Sequence, residues 1–414
     1  MVGTLSRITS LLLAVGILLI GHGLQLTLLP VHAEALGWST SAVGLTGSFY
    51  FLGFVAGCIV IPAIVAGVGH IRSFMVMAAI TTVALLGAGL FTYVPAWCLL
   101  RFASGFALSG LYLVIESWLS DVSPSSQRGT ILAIYTMISL LGMALGQILM
   151  GLGSAQDLEL FMLGAVLISL AIVPVGLTRV ASPHPIPSIR FTPGILLRAS
   201  RVSVVCAFLA GMVTGAFWTL GPVLARGFGL DTGQIGLMMS LGILGGALSQ
   251  LPIGRLSDLT DRRVVIGSIA AAGAAVGAFG ALFAGTSVAA LYGLIFLLGA
   301  ATMPIYALCI VHAADNTDLT LVEIASGILI VHSAGSILGP LAVALLMENF
   351  GPQSFFGYAL VCMLLAALWA FYRRFIIERR RDPDTHASIL PRTTQAIAEL
   401  SAGEVTAFED SGSG

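Results

Sequence analysis

The chain has 414 residues, of which 57% are hydrophobic and only 9% charged, and its formal net charge is −1. Soluble domains carry about 25% charged residues, so this composition excludes an ordinary soluble enzyme, and the near-neutral charge leaves no basic footprint for nucleic acid. All 18 basic residues are Arg; without Lys there can be no Walker A phosphate loop and no Schiff base to PLP or retinal. In chain order, twelve apolar runs lie near 8–30, 41–66, 73–94, 96–119, 127–152, 160–179, 201–224, 233–256, 263–285, 287–312, 320–347 and 352–376. Each is long enough to cross the roughly 30 Å hydrocarbon core as a helix, the form that satisfies its own backbone hydrogen bonds in lipid. The first run imitates a signal peptide, with Arg7 ahead of a Leu-rich stretch. It is too long for a typical h-region, and its repeat partner described below marks it as a retained first helix. The five cysteines stand singly in apolar runs with no metal spacing, so no metal or cofactor is expected.

An even number of spans puts both ends of the chain on one side. Sixteen of the 18 Arg lie before the first run, in the even-numbered loops or in the tail, against Arg226 in an odd-numbered loop and Arg101 within a run. Positive loops face the cytoplasm, so both termini are expected there. The cluster Arg373, Arg374, Arg379, Arg380 and Arg381 is expected to meet anionic lipid headgroups.

The chain repeats itself. Shifted by 192 residues, 23–62 aligns with 215–254 and fourteen of forty positions are identical, among them Pro30/Pro222, Gly37/Gly229, Gly44/Gly236 and Gly53/Gly245. A shift of 194 pairs Gly105 with Gly299, Tyr112 with Tyr306 and Asp121 with Asp315; a shift of 193 pairs Gly142 with Gly335 and Gly146 with Gly339. Runs 1–6 and 7–12 are therefore two copies of one unit, related by an axis along the membrane normal. The expected architecture is an all-α polytopic membrane protein with twelve transmembrane helices in two pseudo-symmetric six-helix bundles. Its divisions are 1–180, a cytoplasmic linker at 181–200 with Pro183, Pro185, Pro187 and Pro193, 201–378, and a disordered polar tail at 379–414.

The loop after run 8 reads Gly254-Arg255-Leu256-Ser257-Asp258-Leu259-Thr260-Asp261-Arg262-Arg263. It resembles the G-x-L-A-D-r-x-G-R-[RK] loop of the major facilitator superfamily, with Asp261 in place of the family's Gly. The first-half counterpart keeps Gly69, His70 and Arg72 but has Ala66 where the Asp would stand. Arg101 to Gly105 resembles the family's R-x-x-x-G motif, and Ser123 to Gly129, with Arg128, its usual entry to helix 5. Gly142-Met-Ala-Leu-Gly146-Gln147 resembles the antiporter motif, with Gln147 replacing Pro. Glu116-Ser117-Trp118-Leu119-Ser120 together with Gly69 to Arg72 looks like a bacterial branch termed YcaD-like. The resemblance covers roughly 8–378. It implies a secondary transporter of a bacterial inner membrane, with helices 1, 4, 7 and 10 lining a central cavity, and a monomer is the expected unit.

An ionisable side chain in the hydrocarbon costs about 2.5–3.5 kcal/mol on insertion scales, so each needs a reason. Arg101 is expected to bind an anionic group or to tune a neighbour; snorkelling is the alternative. Glu116 lies on the same broad face of helix 4, about 22 Å further along the axis, too far to pair with Arg101. It is a candidate proton carrier or else a partner of Arg72 or Arg128. His22, near the middle of helix 1, and His332 are candidates for proton coupling or solute contact. Gln25, Tyr112, Gln147, Trp218 and Tyr306 complete the candidate solute-binding or coupling set, beside Thr219, Gln250 and Thr302.

A cytoplasmic gate is expected from His70, Arg72, Asp121, Arg128, Gly254, Asp258, Arg262, Arg263 and Asp315. In it Arg262 pairs with Asp315, His70 or Arg72 pairs with Asp121, and Asp258 sits at the N-terminus of helix 5, whose dipole favours a carboxylate. The expected function is alternating-access transport of a small organic solute, as proton-coupled export of an amphipathic compound. Uptake or exchange of an organic anion through Arg101 is the alternative. No HExxH, GxSxG or metal-spaced His/Cys cluster supports an enzyme; a channel or a non-transporting sensor would show currents, or binding without flux.

Overall fold

The computed structural model describes residues 2–123, 128–177, 200–317, 319 and 321–376. The linker expected at 181–200, apart from Ser200, and the tail expected at 379–414 lie outside the described residues. Twelve helices are long and apolar enough to cross a membrane. They are α1 (Val2–Ala35), α2 (Thr40–Val68), α3 (His70–Leu90), α4 (Val94–Val122), α5 (Arg128–Ile148, extended by a 3-10 turn over Leu149–Leu152) and α6 (Glu159–Gly176). The second six are α7 (Arg201–Gly227), α8 (Thr232–Leu259), α9 (Arg262–Phe283), α10 (Val288–Ala314), α11 (Leu321–Phe350) and α12 (Ser354–Ile376). Helix α1 runs on through Pro30 and α7 through its repeat partner Pro222. Neighbouring helices and local adjustment accommodate the freed carbonyl in such spans.

The repeat reaches into the turns. The α1–α2 and α7–α8 connections both turn through a glycine with positive φ, Gly37 at 78° and Gly229 at 80°, a conformation that strains any residue with a Cβ. Both are followed by a capped helix start. Ser39 accepts from the Ala42 amide at 3.2 Å, and Asp231 forms a reciprocal capping box with Gln234, satisfying donors that the first turn leaves unpaired.

Packing repeats as well. In the first bundle α2 lies on α4, α1 on α5 and α3 on α6; in the second α8 lies on α10, α7 on α11 and α9 on α12. Without a hydrophobic drive between helices in lipid, close approach depends on small residues. A Cβ on Gly105 would collide with the Tyr50 carbonyl oxygen, and one on the equivalent Gly299 with the Gly242 carbonyl oxygen. The α2/α4 and α8/α10 crossings are thus one crossing made twice.

The bundles meet through α2 with α11, α5 with α8, and α1 with α7. Three bonds across this seam, among the described residues, lie toward the ends that carry the odd-numbered loops. The Ser41 amide donates to Glu348 Oε2 at 3.0 Å, Ser48 Oγ to the Ile337 carbonyl at 2.6 Å, and Ser240 Oγ to the Ala144 carbonyl at 2.9 Å.

Candidate functional site

Between the bundles is a cavity of about 220 Å³, running from the level of Arg101 toward Glu116 and the even-loop end of α4. Its wall takes residues from α1, α4, α7 and α10, as expected, but also from α2, α5, α8 and α11. Because α2 is drawn onto α4 at Gly105, Tyr50 becomes part of the wall.

Arg101 is 4% exposed. Its guanidinium carbon lies 4.5 Å from the centroid of the Tyr50 ring, a cation–π contact. Its Nη1 makes no hydrogen bond among the described residues. The ring of His22 is 6.3 Å from that of Tyr50, with 18° between their planes. Toward the other end, Tyr135 donates its hydroxyl to Glu116 Oε1 at 3.0 Å. From the second bundle come Trp218, edge-on to Phe217 at 5.2 Å, and Tyr306, edge-on to His332 at 5.0 Å. The His332 Nε2 lies 3.2 Å from Thr214 Oγ1. Tyr112 approaches the Met143 sulfur at 4.0 Å.

The cavity therefore gathers His22, Arg101, Tyr112, Glu116, Trp218, Tyr306 and His332, together with Thr219 and Gln250. Gln25 and Gln147 are not among the residues lining this cavity. Gln25 donates to Ser104 at 2.7 Å, tying α1 to α4; Gln147 accepts from Thr27, tying α5 to α1. Both are fully buried between helices of the first bundle, where a side-chain amide satisfies a neighbouring helix. Thr302 bonds the Leu298 carbonyl of its own helix. Tyr50 and Tyr135 escaped the sequence reading. Tyr50 departs from the repeat, standing where the second half has Gly242, and that asymmetry was the available signal.

The expected gate residues lie at the even-loop ends. Arg262, at the start of α9, donates Nη1 to Ser257 at 2.9 Å and to Asp258 at 3.1 Å, and Nε to Asp315. The Arg262–Asp315 pair inferred from the repeat is thus made. Asp258 meets Arg262 within its own bundle; residues 124–127 ahead of α5, and the side chain of Arg128, lie outside the described part. Asp261 caps α9 by accepting from the Arg263 amide at 3.0 Å and also accepts Arg263 Nε at 3.2 Å. Burial pushes the Asp261 carboxyl upward, but the Arg263 hydrogen bonds and charge outweigh it and hold it below the ordinary value. In the first bundle His70, at the position of Arg262, is buried with Nε2 2.9 Å from Ser117 Oγ. Arg72 and Asp121 are exposed, and Gly254 faces open space.

Two stretches of the chain, 11–202 and 203–403, match the family model described as Major Facilitator Superfamily, which places its division close to that of the two bundles. The chain is 30% identical over 369 residues to the uncharacterized MFS-type transporter YcaD of Escherichia coli strain UMN026, an alignment covering 85% of this chain and 92% of that one. Among solved structures, the nucleoside transporter NupG superposes with a TM-score of 0.71 at 16% identity, covering 89% of this chain and 99% of that one. A bacterial homolog of the human lysosomal transporter Spinster, in an inward-facing and occupied conformation, gives 0.71 at 15% identity, covering 90% and 97%. With the repeat, the paired bundles and the loop motif in place, the chain belongs to the major facilitator superfamily as an MFS transporter of a YcaD-like branch.

Proposed function

We propose that the protein is a secondary active transporter that exports a small amphipathic organic solute against protons by alternating access. The observation that carries this reading is a cavity walled by both bundles, with three inter-bundle bonds among the described residues on its odd-loop side. Two similar bundles hinged about such a site can expose it to each side in turn. With the Arg-rich even loops cytoplasmic, the closed seam faces outward and the cavity opens inward, the state in which an exporter loads its solute.

The wall suits an amphipathic body, with Phe51, Phe54 and Trp218 beside a few polar groups. Glu116 is the carboxylate in that wall, and Tyr135 would hold it in place between protonated and ionised forms. Uptake or exchange of an organic anion is the second reading, favoured by the unbonded Arg101 Nη1.

The test is solute flux in proteoliposomes under an imposed proton gradient. Acid on the side of the odd loops is expected to drive solute toward that side, and Glu116→Gln to abolish the gradient response while solute–solute exchange persists. Conductance typical of a channel, or binding with no flux of any solute, would reject the reading.

A further inference from the structure

We infer that Arg101 is the carboxylate-binding end of the cavity and that the solute is a small aromatic monocarboxylate; this rests on the transport function proposed above. Arg101 is 4% exposed, lines the cavity, and has an Nη1 that no described residue accepts. The Tyr50 face 4.5 Å away steadies the guanidinium but supplies no anion. The one carboxylate among the lining residues, Glu116, already accepts Tyr135 and stands about 22 Å further along α4. A buried charge is tolerated when it is paired and hydrogen-bonded, and the missing partner here is an acceptor that enters the cavity. A carboxylate fits a guanidinium with two parallel hydrogen bonds.

Charge and volume narrow the ligand. Arg101 is the only Arg among the lining residues, so a singly charged acid is neutralised, whereas a phosphate, with a charge of roughly −1.5 to −2, would leave net charge in a largely apolar space. Pockets for drug-sized ligands span roughly 300–1,000 Å³; about 220 Å³ selects something smaller. The rings of Phe51, Phe54, Tyr112, Trp218 and Tyr306 offer faces and edges to an aromatic body.

The test measures binding to the purified full chain in nanodiscs by thermal shift. The probes are benzoate, phenylacetate, 3-phenylpropionate and indole-3-acetate, each beside its neutral amide, with phenylphosphonate as the dianion. At least one carboxylate is expected to raise Tm saturably, with its amide and the phosphonate needing at least tenfold higher concentration. Arg101→Gln is expected to raise the half-saturating concentration of that carboxylate at least tenfold. If Arg101→Gln does not fold, the acid–amide comparison on the unmodified protein decides alone. Amides binding as well as acids, a preference for phenylphosphonate, no response to any of the four acids, or a folded Arg101→Gln protein binding like the parent would overturn the inference. Proton-driven flux of a neutral solute with no acid preference sinks this inference and leaves the transport reading standing; acid binding without flux of any solute does the reverse.

Discussion

The two bundles share a scaffold and differ in chemistry. Turns, caps and glycine crossings correspond at Gly37/Gly229, Ser39/Asp231 and Gly105/Gly299. The cavity walls do not. Arg101, Glu116 and His22 of the first bundle face repeat positions occupied by Ile295, Ile310 and Thr214 in the second, which offers aromatic groups and His332 instead. At the even-loop ends the balance reverses. Arg262 holds Ser257, Asp258 and Asp315, while His70, at the same repeat position, meets Ser117. The difference teaches that a duplicated backbone was kept while ionisable groups were divided between the copies, with charge in the cavity wall of one and a charged end clamp in the other.

The largest expected effect tests the shared part. Gly105→Val and Gly299→Val each drive a side chain into a carbonyl of the facing helix. Both are expected to destabilise by about 3 kcal/mol, the upper end of the usual overpacking cost, seen as similar drops in Tm. A variant tolerated in one bundle alone would break the equivalence of the crossings. Next come the end clamps. Arg262→Ala removes three charge-assisted or polar bonds and is expected to cost about 2 kcal/mol, whereas His70→Ala, which removes a ring that bonds Ser117 and feels the Asp121 charge, is expected to cost about 1 kcal/mol. Denaturation of the two variants side by side measures the gap, and equal losses would deny the asymmetry.

The smallest effect is set by Asp261, whose repeat partner is Gly69. Its folded-state carboxyl lies below the ordinary 3.8. Its stabilisation is therefore fully present above 3.8 and is lost as pH falls through the depressed value. Asp261→Asn is expected to flatten the acid limb of the stability profile, read as Tm as the pH falls from about 4 downward; an unchanged limb would show that the Asp261–Arg263 contacts add no stability.

Much of this was legible from the chain. Twelve spans, the repeat and the Arg262–Asp315 pair follow from run length and from matched positions. The site was less so. Gln25 and Gln147 read as cavity residues by their polarity, and the fold turns them between helices. Apart from the break in the repeat at Tyr50, Tyr50 and Tyr135 carried no mark in the chain that set them apart from other aromatics, and the fold brings them to Arg101 and Glu116.

The reason lies in the solvent. A span must satisfy its backbone internally, so run length dictates how many helices cross, and duplication dictates that they form two like bundles. The rotation of each helix about its axis leaves no such mark, because lipid tails are as apolar as the protein interior and a residue facing either looks the same in the chain. Which face meets lipid, which meets a neighbouring helix and which meets the cavity was decided only when the helices packed.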